Sequence, residues 1–191
     1  MKLNRFFLTT VLAFVLVTVT VAAQAAEAAR ALIYIGPQHY AHETLLRHYY
    51  LHYWFSQGEV LEPIALEALK PVLGKTAMCQ DNSAADVVVM LTPKMFYNPY
   101  ASIFYGKISA RVFSGGGSAI ANYQAKVEQW GFLDVLPEQP IKATYRAAMA
   151  DIVRQMQLDP GLQTLLAQGL ADGETRMPCG LIAALPAQKQ D

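Results

Sequence analysis

The sequence predicts an α+β domain, a mostly antiparallel sheet of about four strands with helices packed on one face, in the order β-α-α-β-β-β-α-α. Three observations predict it. Short apolar runs at residues 31–35 and 86–92 have the length and composition of strands. Two stretches on either side of Gly115-Gly116-Gly117 alternate with a period of two. Residues 140–156 place apolar side chains at helical spacing.

The first run, Ala31-Leu32-Ile33-Tyr34-Ile35, is closed by Gly36-Pro37 and reads as a strand buried on both faces. Residues 41–56 read as a helix ended by Gly58. Leu45, Tyr49, His52, Tyr53 and Ser56 would share one side, with Leu46, Tyr50 and Trp54 on another. Residues 62–73 give a second helix with a stripe of Ile64, Ala65, Ala68, Leu69 and Val72. Pro63 fits its first turn, and Pro71 should kink or end it. A loop with Cys79 and Asp81-Asn82-Ser83 leads to the strand at 86–92.

Residues 95–105, Met-Phe-Tyr-Asn-Pro-Tyr-Ala-Ser-Ile-Phe-Tyr, have a turn signal at Asn98-Pro99. Pro99 interrupts backbone pairing, so this aromatic arm is expected to stand off the sheet. From Lys107 onward Ile108, Ala110 and Val112 face one way and Lys107, Ser109 and Arg111 the other. Alternation resumes with Ala121, Tyr123, Ala125 and Val127 against Asn122, Gln124 and Lys126, which makes a hairpin with one wet or partner-facing side. Pro140 opens an amphipathic helix with Ile141, Tyr145, Ala148, Met149, Ile152 and Met156 on its stripe. Asp159-Pro160 is an N-cap and first-turn proline for a last short helix with Leu162, Leu165, Leu166 and Leu170.

Ahead of all this lies a leader. Lys2 and Arg5 precede an apolar stretch from Phe6 to Ala23, and Ala23-Gln24-Ala25 places small residues at both pocket positions of a signal peptidase. The expected organisation is a signal peptide at 1–25, a short segment at 26–30, one domain at 31–171 and an irregular tail at 172–191 tied back by Cys179. Ala26-Glu27-Ala28 offers an alternative cut, and retention of the leader as an anchor is the rival reading. No cysteine lies at the cut, so no lipid anchor is expected. After cleavage no apolar stretch reaches spanning length, which places the mature chain in the periplasm or outside the cell. The 191 residues carry 15 basic and 15 acidic side chains, with no Lys/Arg-rich run, which argues against a nucleic-acid partner.

Cys79 and Cys179 are the only cysteines. In an oxidising compartment they are expected to pair, stapling the tail to the loop before residue 86. All four histidines, His39, His42, His48 and His52, fall in one short segment. On a helix His48 and His52 would stand at i and i+4, a spacing at which both rings reach one divalent transition metal. No His-Glu-x-x-His accompanies them, and packed or capping histidines explain the cluster as well. Gly-x-Ser-x-Gly is absent, and the three glycines at 115–117 lack the Lys-Ser/Thr of a phosphate loop. Phe96, Tyr97, Tyr100, Phe104 and Tyr105 are the candidate contact surface, because aromatic residues dominate interface energetics. Part of that set is expected to be exposed, and the rest to pack under the helices.

The element order, the segment 58–73, Ala85-Asp86-Val87-Val88-Val89 and the hairpin at 107–126 together resemble small envelope domains of Gram-negative bacteria. These include the N-terminal domain of the Tol-Pal translocation protein, the curli-transport lipoprotein and the lipoprotein activators of penicillin-binding proteins. The resemblance covers about residues 31–157. The expected function is a non-catalytic periplasmic accessory domain that binds another envelope component through its sheet edge or the aromatic arm, with no resident cofactor. A metal-binding protein using the histidine segment is the alternative, and a small hydrolase the third reading.

Overall fold

A computed structural model describes residues 31–80, 82–168, 176 and 178–184. The leader, the segment 26–30 and part of the tail lie outside the described residues. The class is α+β, as the sequence predicts, with more strands than expected. A five-stranded sheet runs in the order β4-β1-β5-β6-β7, and a separate two-stranded sheet pairs β2 with β3.

Strand β1 (Ala31–Ile35) is parallel to both β4 (Thr76–Met78) and β5 (Val87–Asn98). Strands β5, β6 (Ile103–Ser114) and β7 (Ala119–Trp130) form an antiparallel meander of three 12-residue strands. The sheet is therefore mixed, and its long ladders are the antiparallel ones. The β6–β7 turn places Gly117 at φ 89°, a left-handed conformation that glycine adopts without steric cost.

Two helices cover one face. Helix α2 (Gln57–Leu73) packs on β1, β4 and β5, and α3 (Glu138–Leu158) on β6 and β7. Between them and the sheet lies the main core: Ile33, Val89, Leu91, Phe104, Ile108 and Val112 from the strands, against Leu61, Leu69, Tyr145, Met149 and Ile152. Gly106 lets α3 approach closely. A Cβ there would lie 2.3 Å from the Cγ2 of Thr144.

Segment 41–56 is not a helix. Four residues, Gln38–Ala41, form α1. The chain then turns into a hairpin of β2 (Glu43–Arg47) and β3 (His52–Ser56), with Leu46 opposite Tyr53 and Arg47 opposite His52. Aromatic residues favour the pleated, half-buried surface of a strand, and burial of Leu46 and Phe55 against the core decides the matter. Helix α2 accordingly starts at Gln57, five residues earlier than expected. Ser56 Oγ caps it by accepting a hydrogen bond from the Glu59 amide at 3.5 Å. Gly58 does not end a helix. It opens α2, where the Tyr40 ring lies 2.8 Å from the place a Cβ would occupy. Pro63 and Pro71 both sit inside α2.

The aromatic arm does not stand off the sheet. Residues 87–98 pair in unbroken register with 103–114, so the arm is the outer half of a long hairpin. Pro93 is accommodated because β1 stops pairing at Leu91. Beyond it one side of β5 carries no ladder of the five-stranded sheet, a place where proline is tolerated.

The short helix α4 (Pro160–Gln168) begins as the sequence predicts. Asp159 Oδ1 accepts from the amides of Gly161 (2.8 Å) and Leu162 (3.2 Å), and Oδ2 accepts from the Tyr123 hydroxyl at 2.6 Å. These donors, Tyr123 first, hold the Asp159 carboxyl below its usual range. Asp159→Ala is expected to cost about 1 kcal/mol as the loss of an N-cap. A group whose folded pKa is depressed stabilises above its unfolded pKa and loses that contribution as pH falls through its folded pKa. The deficit of the variant should therefore narrow in urea melts taken below pH 4, the ordinary carboxylate value being 3.8. A deficit independent of pH would rule out the charged cap.

Candidate functional site

Where the meander outruns β1, three connections meet at one end of the molecule. They are the β2–β3 turn at 48–51, the β5–β6 turn at 99–102 and the β7–α3 connector at 131–137. The Gly131 amide donates to the Ser102 carbonyl at 2.9 Å, which joins the last two. The Tyr50 hydroxyl donates to Asp134 Oδ2 at 3.2 Å, which joins the first to the third. Asn98 Oδ1 accepts from the amides of Tyr100 and Ala101, so a local side-chain turn sets the tip. Ser102 and Leu136 adopt left-handed φ values of 52° and 48°, conformations that non-glycine residues rarely adopt.

The five candidate contact residues divide by strand alternation. Tyr97 and Phe104 point to the helices and are buried, with their rings 4.6 Å apart and the Tyr97 hydroxyl donating to the Gly131 carbonyl at 3.4 Å. Phe96 (61 % exposed) and the half-buried Tyr105 share the opposite face, and Tyr100 (86 % exposed) sits at the tip. The structure adds residues outside that candidate set. Tyr49, Tyr50, Trp130, Phe132, Val135 and Leu136 are all exposed around the same end. Tyr49 meets Tyr100 edge to face at 5.4 Å, and Trp130 meets Phe132 at 4.7 Å. Adjacent Tyr49-Tyr50 in a four-residue turn was a readable signal once the segment is seen as a hairpin.

The histidines are spread rather than gathered. His48 lies in the β2–β3 turn with its amide donating to the Leu51 carbonyl, and its ring stands against Tyr49 and Tyr50. His52 is exposed on β3 and His42 is exposed after α1. The i, i+4 helical spacing that would have aimed His48 and His52 at one ion does not exist here. His39 is half-buried, and burial lowers its pKa, favouring the neutral ring. His39 Nε2 and His48 Nδ1 are buried without a hydrogen-bond partner among the described residues. No group of three or more His, Cys, Asp or Glu side chains placed to hold a metal occurs among the described residues.

Cys79 and Cys179 form a disulfide with Cα atoms 5.6 Å apart. It holds α5 (Cys179–Ala183) to the sheet face opposite the main helices. The Cys179 amide donates to the Ser83 carbonyl, and Arg176 pairs with Asp86 at 2.6 Å. Under this strap Leu32, Ala85, Val88, Met90 and Phe113 form a second, smaller core. The remainder of that face carries no helix among the described residues. Its strands present Thr92, Lys94 and Phe96, then Tyr105, Lys107 and Ser109, then Gln124, Lys126 and Glu128. Among the described residues no helix is long and apolar enough to cross a membrane.

No protein-family model and no curated protein matches this chain. Among solved structures it is similar to a Xanthomonas campestris protein of the family DUF330, at 11 % identity and a TM-score of 0.42, covering 74 % of this chain and 86 % of that one. It is also similar to an uncharacterised protein at 11 % identity and a TM-score of 0.43, covering 66 % and 92 %. A minor lipoprotein of Acinetobacter baumannii is similar at 14 % identity and a TM-score of 0.34, covering 72 % and 93 %. None of these three bears the name of the Tol-Pal, curli-transport or penicillin-binding-protein activator families.

Proposed function

We propose that the protein is exported by a cleavable signal peptide and acts in the periplasm as a non-catalytic accessory domain that binds another envelope protein. The observation that carries this is the collection of exposed aromatic residues from three connections at one end of the fold. Tyr, Trp and Phe are enriched at interface centres because each combines large apolar area with few rotatable bonds. The tyrosine hydroxyls tolerate water, which suits a surface alternately free and covered. Exposed apolar residues scattered singly need no explanation, but a group this large does. The leader pattern and the Cys79–Cys179 bridge support an oxidising compartment. The family resemblances drawn from the sequence belong to the same reading.

A photo-reactive phenylalanine analogue placed at Tyr100 or Trp130, in cells that make the full chain, tests it. The same adduct of discrete mass is expected from both positions and none from Arg154, which is exposed on α3. The paired substitution Tyr49→Ser and Tyr50→Ser should abolish the adduct and leave the melting temperature within about 2 °C, as for ordinary surface changes. Equal adducts from all three positions, or none from the aromatic end, would overturn the reading.

A further inference from the structure

Three lysines stand in register across the open sheet face. Lys94 on β5 is the partner of Lys107 on β6, and Lys107 is the partner of Lys126 on β7. Strands lie about 4.8 Å apart, so the row spans about 10 Å at the backbone. Like charges directly opposite one another destabilise a sheet. None of the three makes an ion pair among the described residues. Lysines that protect a sheet from edge pairing belong on edge strands; Lys126 on β7 and Lys94 on the part of β5 beyond β1 have that position, whereas Lys107 on β6 is interior. Edge protection therefore does not account for Lys107 or for the alignment of all three lysines in one row.

The surroundings of the row suit a ligand. The three lysines line a depression of about 450 Å³ together with Phe96, Tyr105 and Glu128. The Phe96 and Tyr105 rings lie 6.0 Å apart and form an apolar wall on the side toward the aromatic end. On the other side Thr92, Ser109 and Gln124 make a neutral polar row, with Gln124 donating to Ser109 Oγ at 3.4 Å. Glu128 opposes an anion, and three ammonium groups outweigh it. The next cation along, Arg111, is committed to the Met90 sulfur and the face of Phe113.

We infer that this face binds a ligand carrying two adjacent phosphoryl groups, with an apolar portion resting on Phe96 and Tyr105. Lysine is a compact point charge that suits phosphate oxygens, whereas carboxylates are recognised best by the planar fork of arginine. Phosphoryl groups seated between neighbouring ammonium groups would relieve the repulsion along the row. The site lies on the sheet face rather than among the connections at the end, so it stands independently of the protein-partner surface.

Inorganic diphosphate and vesicles of phosphatidylcholine with and without diacylglycerol diphosphate, each titrated into the full-length mature chain, test the inference. Diphosphate should bind, and Lys94→Gln, Lys107→Gln and Lys126→Gln combined should weaken it about tenfold or more. Lys70→Gln, on the far side of α2, should leave it unchanged, as should Tyr49→Ser with Tyr50→Ser. Sedimentation with the diacylglycerol diphosphate vesicles, lost in the triple variant, would identify a lipid headgroup as the source. Diphosphate binding without vesicle binding would identify a soluble diphosphate ester. Far-ultraviolet circular dichroism checks that the triple variant is folded. Equal binding by the triple variant, or no binding of either probe by the wild type, would overturn the inference.

Discussion

Reduction of the Cys79–Cys179 bridge, or Cys79→Ser, should lower the unfolding free energy by up to about 4–5 kcal/mol, the range the chain-entropy relation gives for a loop this long. The two residues are separated by 100 positions, so the bridge closes a loop that contains β5, β6, β7, α3 and α4. The loss is not only one of chain entropy. Cys179 is itself buried in the small core beneath α5. Without the bridge, the remaining ties include a surface ion pair from Arg176 to Asp86, worth little in water, and a backbone hydrogen bond to Ser83. Leu32, Val88, Met90 and Phe113 would then be uncovered, and hydrogen exchange at residues 178–184 should become fast. Urea melts of the oxidised and reduced protein, with Cys79→Ser as a third sample, measure the effect. Coincident midpoints would show that the bridge contributes nothing to stability.

The second large effect is expected at the base of the aromatic end. Phe104→Ala should cost about 3–5 kcal/mol, the usual penalty for removing a fully buried ring. Phe104 is 0 % exposed and packs against Tyr97 beneath the N-terminal part of α3. Tyr97→Ser should be comparably severe, because it removes a buried ring and the donor to the Gly131 carbonyl. Phe96→Ala and Tyr100→Ser should change stability by about 0.5 kcal/mol or less, as exposed positions do. The contrast tests strand alternation directly, since Phe96 and Tyr97 are neighbours in sequence with opposite fates. Equal costs at positions 96 and 97 would show that the sheet does not separate the two sides as described.

Much of the frame was legible from local pattern. The alternation from residue 107 to 126, the stripe of α3 and the Asp159-Pro160 cap each depend on residues close in sequence, and all three elements form as expected. Segment 41–56 was misread because Leu45, Tyr49 and His52 happen to fit a helical period as well as they fit a hairpin. Its strands are selected by the burial of Leu46 and Phe55 against elements distant in the chain. The strand β4 was missed because its three residues carry no period of their own, and parallel pairing with β1 makes them a strand.

The sequence by itself determined the α+β class, the two-residue alternation of the meander, the N-cap of α4 and the two cysteines able to bridge. Each follows from the chemistry of neighbouring residues or from the presence of a reactive pair. Only the tertiary structure decided which aromatic residues are core and which are surface. It also decided that Tyr49, Tyr100 and Trp130 share one end, and that Lys94, Lys107 and Lys126 form one row. Those are facts of register between strands, and register is set by how the whole sheet buries one face against α2 and α3. A shift of β6 by one residue against its neighbours would break the lysine row and turn Phe104 out of the core.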